Sequence, residues 1–285
     1  MSFVTTKELL DDAYWNNYAV GAFAVHNLEI LKAVVVGAES LGAPVIFQTT
    51  PGTIKYLGIE YIVEMTKIAA EKAKIPIALH LDHGDSFKTV MQCIRAGYTS
   101  IMIDGSHLPF EENIHLVKKV VEAAHFVNVP VEAELGTIGG VEDDLSVEDA
   151  NAQLTNPDLA EEFVLRTNID SFAPAFGTAH GLYKSEPKLN FELLDEINKR
   201  VKCPIVMHGA SGVPEESVRH SLNYGVAKVN FSTELKIAFA EKLRTFMMDN
   251  PTQEDPRKYF VPAREAVEKI VKQKIEMLQK TPRFV

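Results

Sequence analysis

Of nine histidines, three stand at or shortly beyond the ends of short apolar runs that read as strands: His83 in His80-Leu-Asp-His83, His180 in Gly177-Thr-Ala-His180 and His208 in Val206-Met-His208. Three imidazoles delivered from separate strands can hold Zn²⁺ and leave a fourth position open, which marks a catalytic rather than a structural site. A lone histidine at a strand end is more often a hydrogen-bonded rim residue; three at one rim favour a metal. Asp82 directly precedes His83, and adjacent side chains of a strand point to opposite sides. One division of labour makes His83 a ligand and leaves Asp82 to transfer a proton. The competing roles for Asp82 are a helix N-cap or a partner that orients a ligand. Asp104 and Glu134 add carboxylates near the same rim, where they could bind a second metal position, orient the histidines or serve structure alone. His26 and His107 also fall near the rim, His80 alternates with Leu79 and Leu81, and His115, His125 and His220 fall in helical segments expected at the surface.

The elements that must position these groups are short β-branched runs separated by longer helical segments. The runs are Ala19–Val25, Pro44–Gln48, Pro76–Leu81, Thr99–Ile103, Val129–Glu134, Ile169–Ala175, Pro204–Met207 and Ala227–Phe231. Between them, Leu28–Glu39, Ile59–Lys72, Phe87–Arg95, Glu112–Ala124 and Phe191–Arg200 carry apolar residues at helical spacing. Pro44, Pro76 and Pro204 suit the first residue of a strand, where a missing N–H costs no ladder bond. Eight such units predict an α/β fold, a (β/α)8 TIM barrel with extra C-terminal helices; a doubly wound open sheet would show the same alternation. No low-complexity linker divides residues 1–285, so one domain is expected.

In a barrel of this kind the C-terminal ends of the strands build the site. His208-Gly209-Ala210-Ser211-Gly212 and Asn230-Phe231-Ser232-Thr233 would then begin the last two helices, where backbone N–H groups can cradle a phosphate. One glycine-rich turn is weak support; the pair in these two loops is stronger. A metal beside a phosphate suggests a sugar phosphate, with a Lewis acid on a ketone oxygen stabilising the enediolate left by carbon–carbon cleavage.

Composition narrows the partners. The 285 residues are 46% hydrophobic and 24% charged, which excludes a disordered chain. Their net charge of -10 argues against nucleic acid or anionic membranes, so a phosphate must be held by local groups. Two cysteines, Cys93 and Cys203, exclude a disulfide framework and a four-cysteine zinc site. No basic leader and no run of roughly 20 apolar residues is present. A cytoplasmic location is the expectation.

At these residues the sequence resembles the class II, metal-dependent ketose-bisphosphate aldolases. The match runs through His80-Leu-Asp-His83, Met102-Ile-Asp-Gly-Ser-His107, Val131-Glu-Ala-Glu-Leu-Gly136, Gly139-Gly-Val-Glu-Asp-Asp144, Gly177-Thr-Ala-His-Gly-Leu-Tyr183 and His208-Gly-Ala-Ser211. The resemblance implies aldol cleavage to dihydroxyacetone phosphate and glyceraldehyde 3-phosphate. It also implies one Zn²⁺ on His83, His180 and His208, with Asp104 and Glu134 at an alternative metal position. Asp82 then exchanges a proton with the C4 oxygen, and Glu142, in a mobile loop, moves the proton at the enediolate carbon. Gly181, Gly209, Ala210, Ser211, Asn230, Phe231, Ser232 and Thr233 match positions that hold dihydroxyacetone phosphate. Asp255-Pro-Arg257 resembles a segment that meets the distal phosphate in a neighbouring subunit. A homodimer or homotetramer, a monovalent cation (Na⁺ or K⁺) and a helper subunit all belong to this pattern.

Thr50-Pro-Gly-Thr53, Gly209-Ala-Ser211 and Thr233-Glu-Leu-Lys-Ile-Ala-Phe239 look more like tagatose-1,6-bisphosphate aldolases than their fructose counterparts. Gly212 departs from the aspartate often found there in the tagatose group, and Phe231-Ser232 departs from both. Two other readings compete. A metal-free aldolase would need a Schiff-base lysine, for which Lys228 is the candidate. A non-catalytic sugar-phosphate sensor would be expected to lack some of these groups, yet Asp82, Glu142 and the three histidines are all present.

Overall fold

The computed structural model describes residues 3–142, 145–147, 153–181, 183 and 186–279. Eight parallel strands close into a barrel: β1 (Val20–Ala24), β2 (Val45–Thr49), β3 (Ile77–Gly84), β4 (Ser100–Ile103), β5 (Val131–Leu135), β8 (Ser171–Pro174), β10 (Ile205–Met207) and β11 (Val226–Phe231). All eight coincide with the expected runs, and closure between β1 and β11 excludes the open doubly wound sheet. Pro44, Pro76 and Pro204 each stand one residue before a strand, where their carbonyls still serve: Pro76 O accepts from Val45 N and Pro204 O from Phe172 N.

Alternation divides the side chains into two cores. Phe23, Phe47, Leu79, Ile101 and Phe172 point outward to the helices, while Ala22, Ile46 and Ala78 point into the barrel. The helical shell comprises α2 (Leu28–Ser40), α3 (Pro51–Leu57), α4 (Ile59–Lys72), α5 (Phe87–Ala96), α6 (Phe110–His125), α7 (Pro157–Thr167), α8 (Phe191–Val201) and α9 (Glu215–Ser221). The expected C-terminal helices follow as α10 (Thr233–Asp249) and α11 (Pro256–Leu278), α11 lying so close to α2 that a Cβ on Gly37 would sit 2.9 Å from Val271. No helix of the described residues is long and apolar enough to cross a membrane.

Two features were not anticipated. Helix α1 (Thr6–Asn16), started by a Thr5/Glu8 capping box, lays Leu9, Leu10 and Ala13 against the inner residues at the N-terminal end of the barrel. It plugs the end opposite the chemistry. At the other end, β6 (Gly139–Glu142), β7 (Leu145–Val147) and β9 (Ala179–His180) form a small separate sheet in the order β7-β6-β9. Strands of two to four residues carry too little periodicity to be read from sequence.

Candidate active site

Asp82 and His83 are both buried at the end of β3, and the His83 ring departs from simple alternation by lying beside that of His208. The register of β3 on β4 slips between Leu81 and Gly84, and His83 takes a left-handed backbone with φ of 46°. A bulge re-aims one side chain; here it turns His83 back over the mouth while Asp82 stays inside. Gly84 is needed beside it, since a Cβ there would lie 2.4 Å from the Met102 carbonyl. Asp82 Oδ1 accepts from Asn230 Nδ2 at 3.1 Å, across the barrel from β11.

His83, His180 and His208 converge. One ligand atom from each lies within 4.8 Å of the others, and the rings pack edge to face with centroids 4.7 to 5.8 Å apart. His83 Nδ1 faces Asp104 Oδ2 at 2.9 Å, and His208 Nε2 faces Glu132 Oε1 at 2.9 Å. An ionised carboxylate accepts only, so each of these outer nitrogens carries the proton and donates it. The inner nitrogens, His83 Nε2 and His208 Nδ1, then present lone pairs toward each other across 3.0 Å. Two facing lone pairs repel unless a cation sits with them, so this donor set fits a zinc ion, with His180 as third ligand. Burial pushes His208 below its usual range despite its bond to Glu132, which keeps the imidazole neutral as a ligand must be.

A second group, His83, Asp104 and Glu134, also brings ligand atoms within 4.8 Å of one another. The two carboxyls differ in charge state. Burial opposes ionisation of Asp104, but the hydrogen bonds it accepts from His83 and Ser106 outweigh it and hold Asp104 well below the usual carboxylate range. Burial, with Asp104 nearby, pushes Glu134 well above that range, and its Oε2 has no hydrogen-bond partner among the described residues. The folded protein therefore keeps the Glu134 proton at pH values where the unfolded chain has released it. Stability must fall as pH rises from the unfolded carboxyl pKa toward the folded one. Glu134→Gln removes that slope. The zinc-free variant should melt with the parent near about pH 4, where the unfolded carboxyl titrates, and increasingly above it as pH rises. A melting difference that does not grow with pH would contradict this environment for Glu134.

The residues expected from the sequence to hold a phosphate lie on the same rim. Ala210, Ser211, Asn230, Phe231 and Ser232 are buried, and Thr233 opens α10, whose N-cap Ser232 makes no side-chain capping bond. Gly181, Gly209 and Gly212 all have positive φ, at 86°, 64° and 88°. A Cβ on Gly209 would lie 2.4 Å from the Ala179 carbonyl, so only glycine lets the loop after β10 approach the strand carrying His180. Tyr183 ties the two together: its hydroxyl accepts from Ala179 N and donates to Gly209 O, both at 2.7 Å. The Glu142 backbone ends β6, whose Gly140 pairs with His180. The Glu142 side chain, Asp143, Asp144 and Leu182 lie outside the described residues. Arg257 is 87% exposed at the start of α11, with its guanidinium on Asp255.

Of the other histidines, His107, His115 and His220 are exposed, His125 pairs with Asp170, and His26 bonds Thr53 Oγ1. Lys228 is fully buried and its Nζ donates to Glu132 Oε2 at 2.8 Å. The amine is thus engaged with a carboxylate inside the barrel rather than offered as a Schiff-base nucleophile. Sequence reasoning passed over Glu132 and Gln48. Glu132 stands two residues before Glu134 on an inward-facing strand, so its position was legible although its partners were not. Gln48 is equally buried, with neither amide atom hydrogen-bonded among the described residues.

Residues 4–283 match the family model described as fructose-bisphosphate aldolase class-II. Among solved structures, the chain is similar to the YdjI aldolase from Escherichia coli K12, with 32% identity, 99% of each chain covered and a TM-score of 0.85. It is also similar to fructose-bisphosphate aldolase from Campylobacter jejuni, at 24% identity over 97% of this chain and 95% of that one, with a TM-score of 0.81.

Proposed function

The chain belongs to the class II fructose-bisphosphate aldolase family and is a lyase, and from that premise we propose that it cleaves D-tagatose 1,6-bisphosphate to dihydroxyacetone phosphate and D-glyceraldehyde 3-phosphate. The observation that carries the chemistry is the convergence of His83, His180 and His208 beside the buried Asp82. Preference for tagatose over fructose rests on Thr50-Pro-Gly-Thr53, Gly209-Ala-Ser211 and Thr233-Glu-Leu-Lys-Ile-Ala-Phe239.

Zinc, when held by the three histidines, supplies Lewis-acid polarisation of the C2 carbonyl. The chain's own groups do the rest. Asp82 accepts the C4 hydroxyl proton as the C3–C4 bond breaks, the C4 oxygen becoming the aldehyde of glyceraldehyde 3-phosphate. The electron pair of that bond stays with C3 as the enediolate, and Glu142 returns a proton to C3. Asn230, bonded to Asp82, fixes the angle of the base. The amides of Gly181 and of 209–211, with the first turn of α10 after Ser232, hold the C1 phosphate. A chain of net charge -10 must hold this dianion by such local dipoles. Arg257 meets the C6 phosphate from a second subunit of a homodimer or homotetramer, consistent with its exposure. Asp104 and Glu134 offer the alternative metal position.

Initial rates on both bisphosphates, with and without chelator, test this reading. The expected result is turnover of both with tagatose 1,6-bisphosphate preferred, abolished by chelator and restored by Zn²⁺. Faster cleavage of fructose 1,6-bisphosphate would reverse the substrate assignment. Chelator-resistant turnover would remove the metal from the mechanism.

A further inference from the structure

The Glu132–Lys228 pair lies inside the closed barrel, with both side chains at most 2% exposed. One carboxylate oxygen accepts from His208 Nε2 at 2.9 Å and the other from Lys228 Nζ at 2.8 Å. Lys228 Nζ also reaches His80 Nε2 at 3.3 Å, His80 Nδ1 meets Ser100 Oγ at 2.8 Å, and Ser100 Oγ meets Thr6 Oγ1 at 2.6 Å. A hydrogen-bonded column thus runs from the histidine cluster down through the barrel to α1. A buried ion pair is poor value as a stabiliser, because well-packed apolar residues of similar volume serve as well or better. What such a pair can do is define a direction. Because Lys228 is positively charged and donates, Glu132 remains an acceptor, and an acceptor facing His208 Nε2 leaves only the tautomer whose Nδ1 is bare.

We infer that Glu132 is a positioning residue that fixes His208 in the tautomer required for metal binding, with Lys228 and His80 holding its carboxylate in place. The inference rests on the zinc reading of His83, His180 and His208. It extends the accepted principle that a carboxylate behind a ligating imidazole sets its orientation and basicity. The same reading explains why Lys228 stands on a strand that also carries Asn230: one inward position serves the metal ligand and the next serves Asp82.

The test uses the full-length protein and two readouts. In the zinc-free parent, side-chain ¹⁵N NMR of histidine, with the His208 signals assigned by their loss in His208→Gln, should show Nε2 protonated and Nδ1 bare. The double variant Glu132→Gln/Lys228→Met removes both charges at nearly constant volume, and its neutral amide, donor and acceptor alike, no longer dictates a tautomer. It should fold, show mixed His208 tautomers and bind Zn²⁺ about 10- to 100-fold more weakly in competition titrations. A folded double variant with parental Zn²⁺ affinity overturns the inference, and so does a parent whose His208 carries its proton on Nδ1. Should the double variant not fold, the parental NMR result decides alone. A parent that binds no Zn²⁺ at the histidine cluster would instead defeat the metal reading on which the inference stands.

Discussion

Replacing Asp82 by asparagine is expected to lower kcat by about 10²- to 10⁴-fold while Zn²⁺ content and substrate affinity stay close to those of the parent. The geometry separates proton transfer from metal binding. Asp82 bonds Asn230 at 3.1 Å on the inner face of the barrel, whereas the bulge and the φ of 46° at the next residue swing His83 to the histidine cluster. Asparagine keeps the shape and the acceptor oxygen facing Asn230 but cannot take the C4 hydroxyl proton. The loss should therefore fall on kcat, and equilibrium binding of dihydroxyacetone phosphate should be little changed. Metal analysis alongside steady-state kinetics checks both halves. A variant that loses its zinc would make Asp82 a ligand or ligand support, and one that keeps full activity would leave the base unassigned.

How far the sequence reaches is visible at this same pair of residues. Alternation in Leu79-His80-Leu81-Asp82 placed His80 and Asp82 on one face of a strand, and both are inside the barrel. It also placed His83 on the opposite face, and only the slipped register reconciles that with its ring beside His208. A bulge depends on the neighbouring strand, here on Gly84 fitting under the Met102 carbonyl, so it leaves little local trace. The eight barrel strands were legible because buried parallel strands read as dense β-branched runs. Helix α1 was not, because its apolar face answers to the inside of a barrel formed by residues far along the chain. Glu132, Lys228 and His80 share the cause. Each reads singly as an oddity in an apolar strand, and their meaning lies in contacts spanning up to 148 positions. Arg257 is the converse, since motif resemblance alone draws attention to a residue that is exposed on one chain.

The small sheet at the mouth leads to the second large effect. Gly140 of β6 pairs with His180 of β9, has φ of 100°, and a Cβ there would lie 2.1 Å from the His180 carbonyl oxygen and 2.7 Å from its nitrogen. Gly140→Ala cannot be accommodated without separating the strand that carries Glu142 from the strand that carries His180. Displacements of about 1 Å at a reacting centre can cost about 10²-fold, and here two groups move at once. The variant should lose kcat/KM by about 10²-fold or more, with Zn²⁺ bound less tightly. Exchange of the C3-derived proton of dihydroxyacetone phosphate with solvent should slow in step, because Glu142 is the group proposed to move it. Gly42→Ala supplies the control. Gly42 also has positive φ, 61°, but a Cβ there meets nothing within 4 Å. It carries the backbone penalty of about 1–2 kcal/mol without the collision. It should lower the melting temperature and leave kinetics and metal binding alone. If Gly140→Ala behaves like Gly42→Ala, the β6–β9 pairing is only scaffolding, and the link between the Glu142 strand and the histidine cluster has no part in turnover.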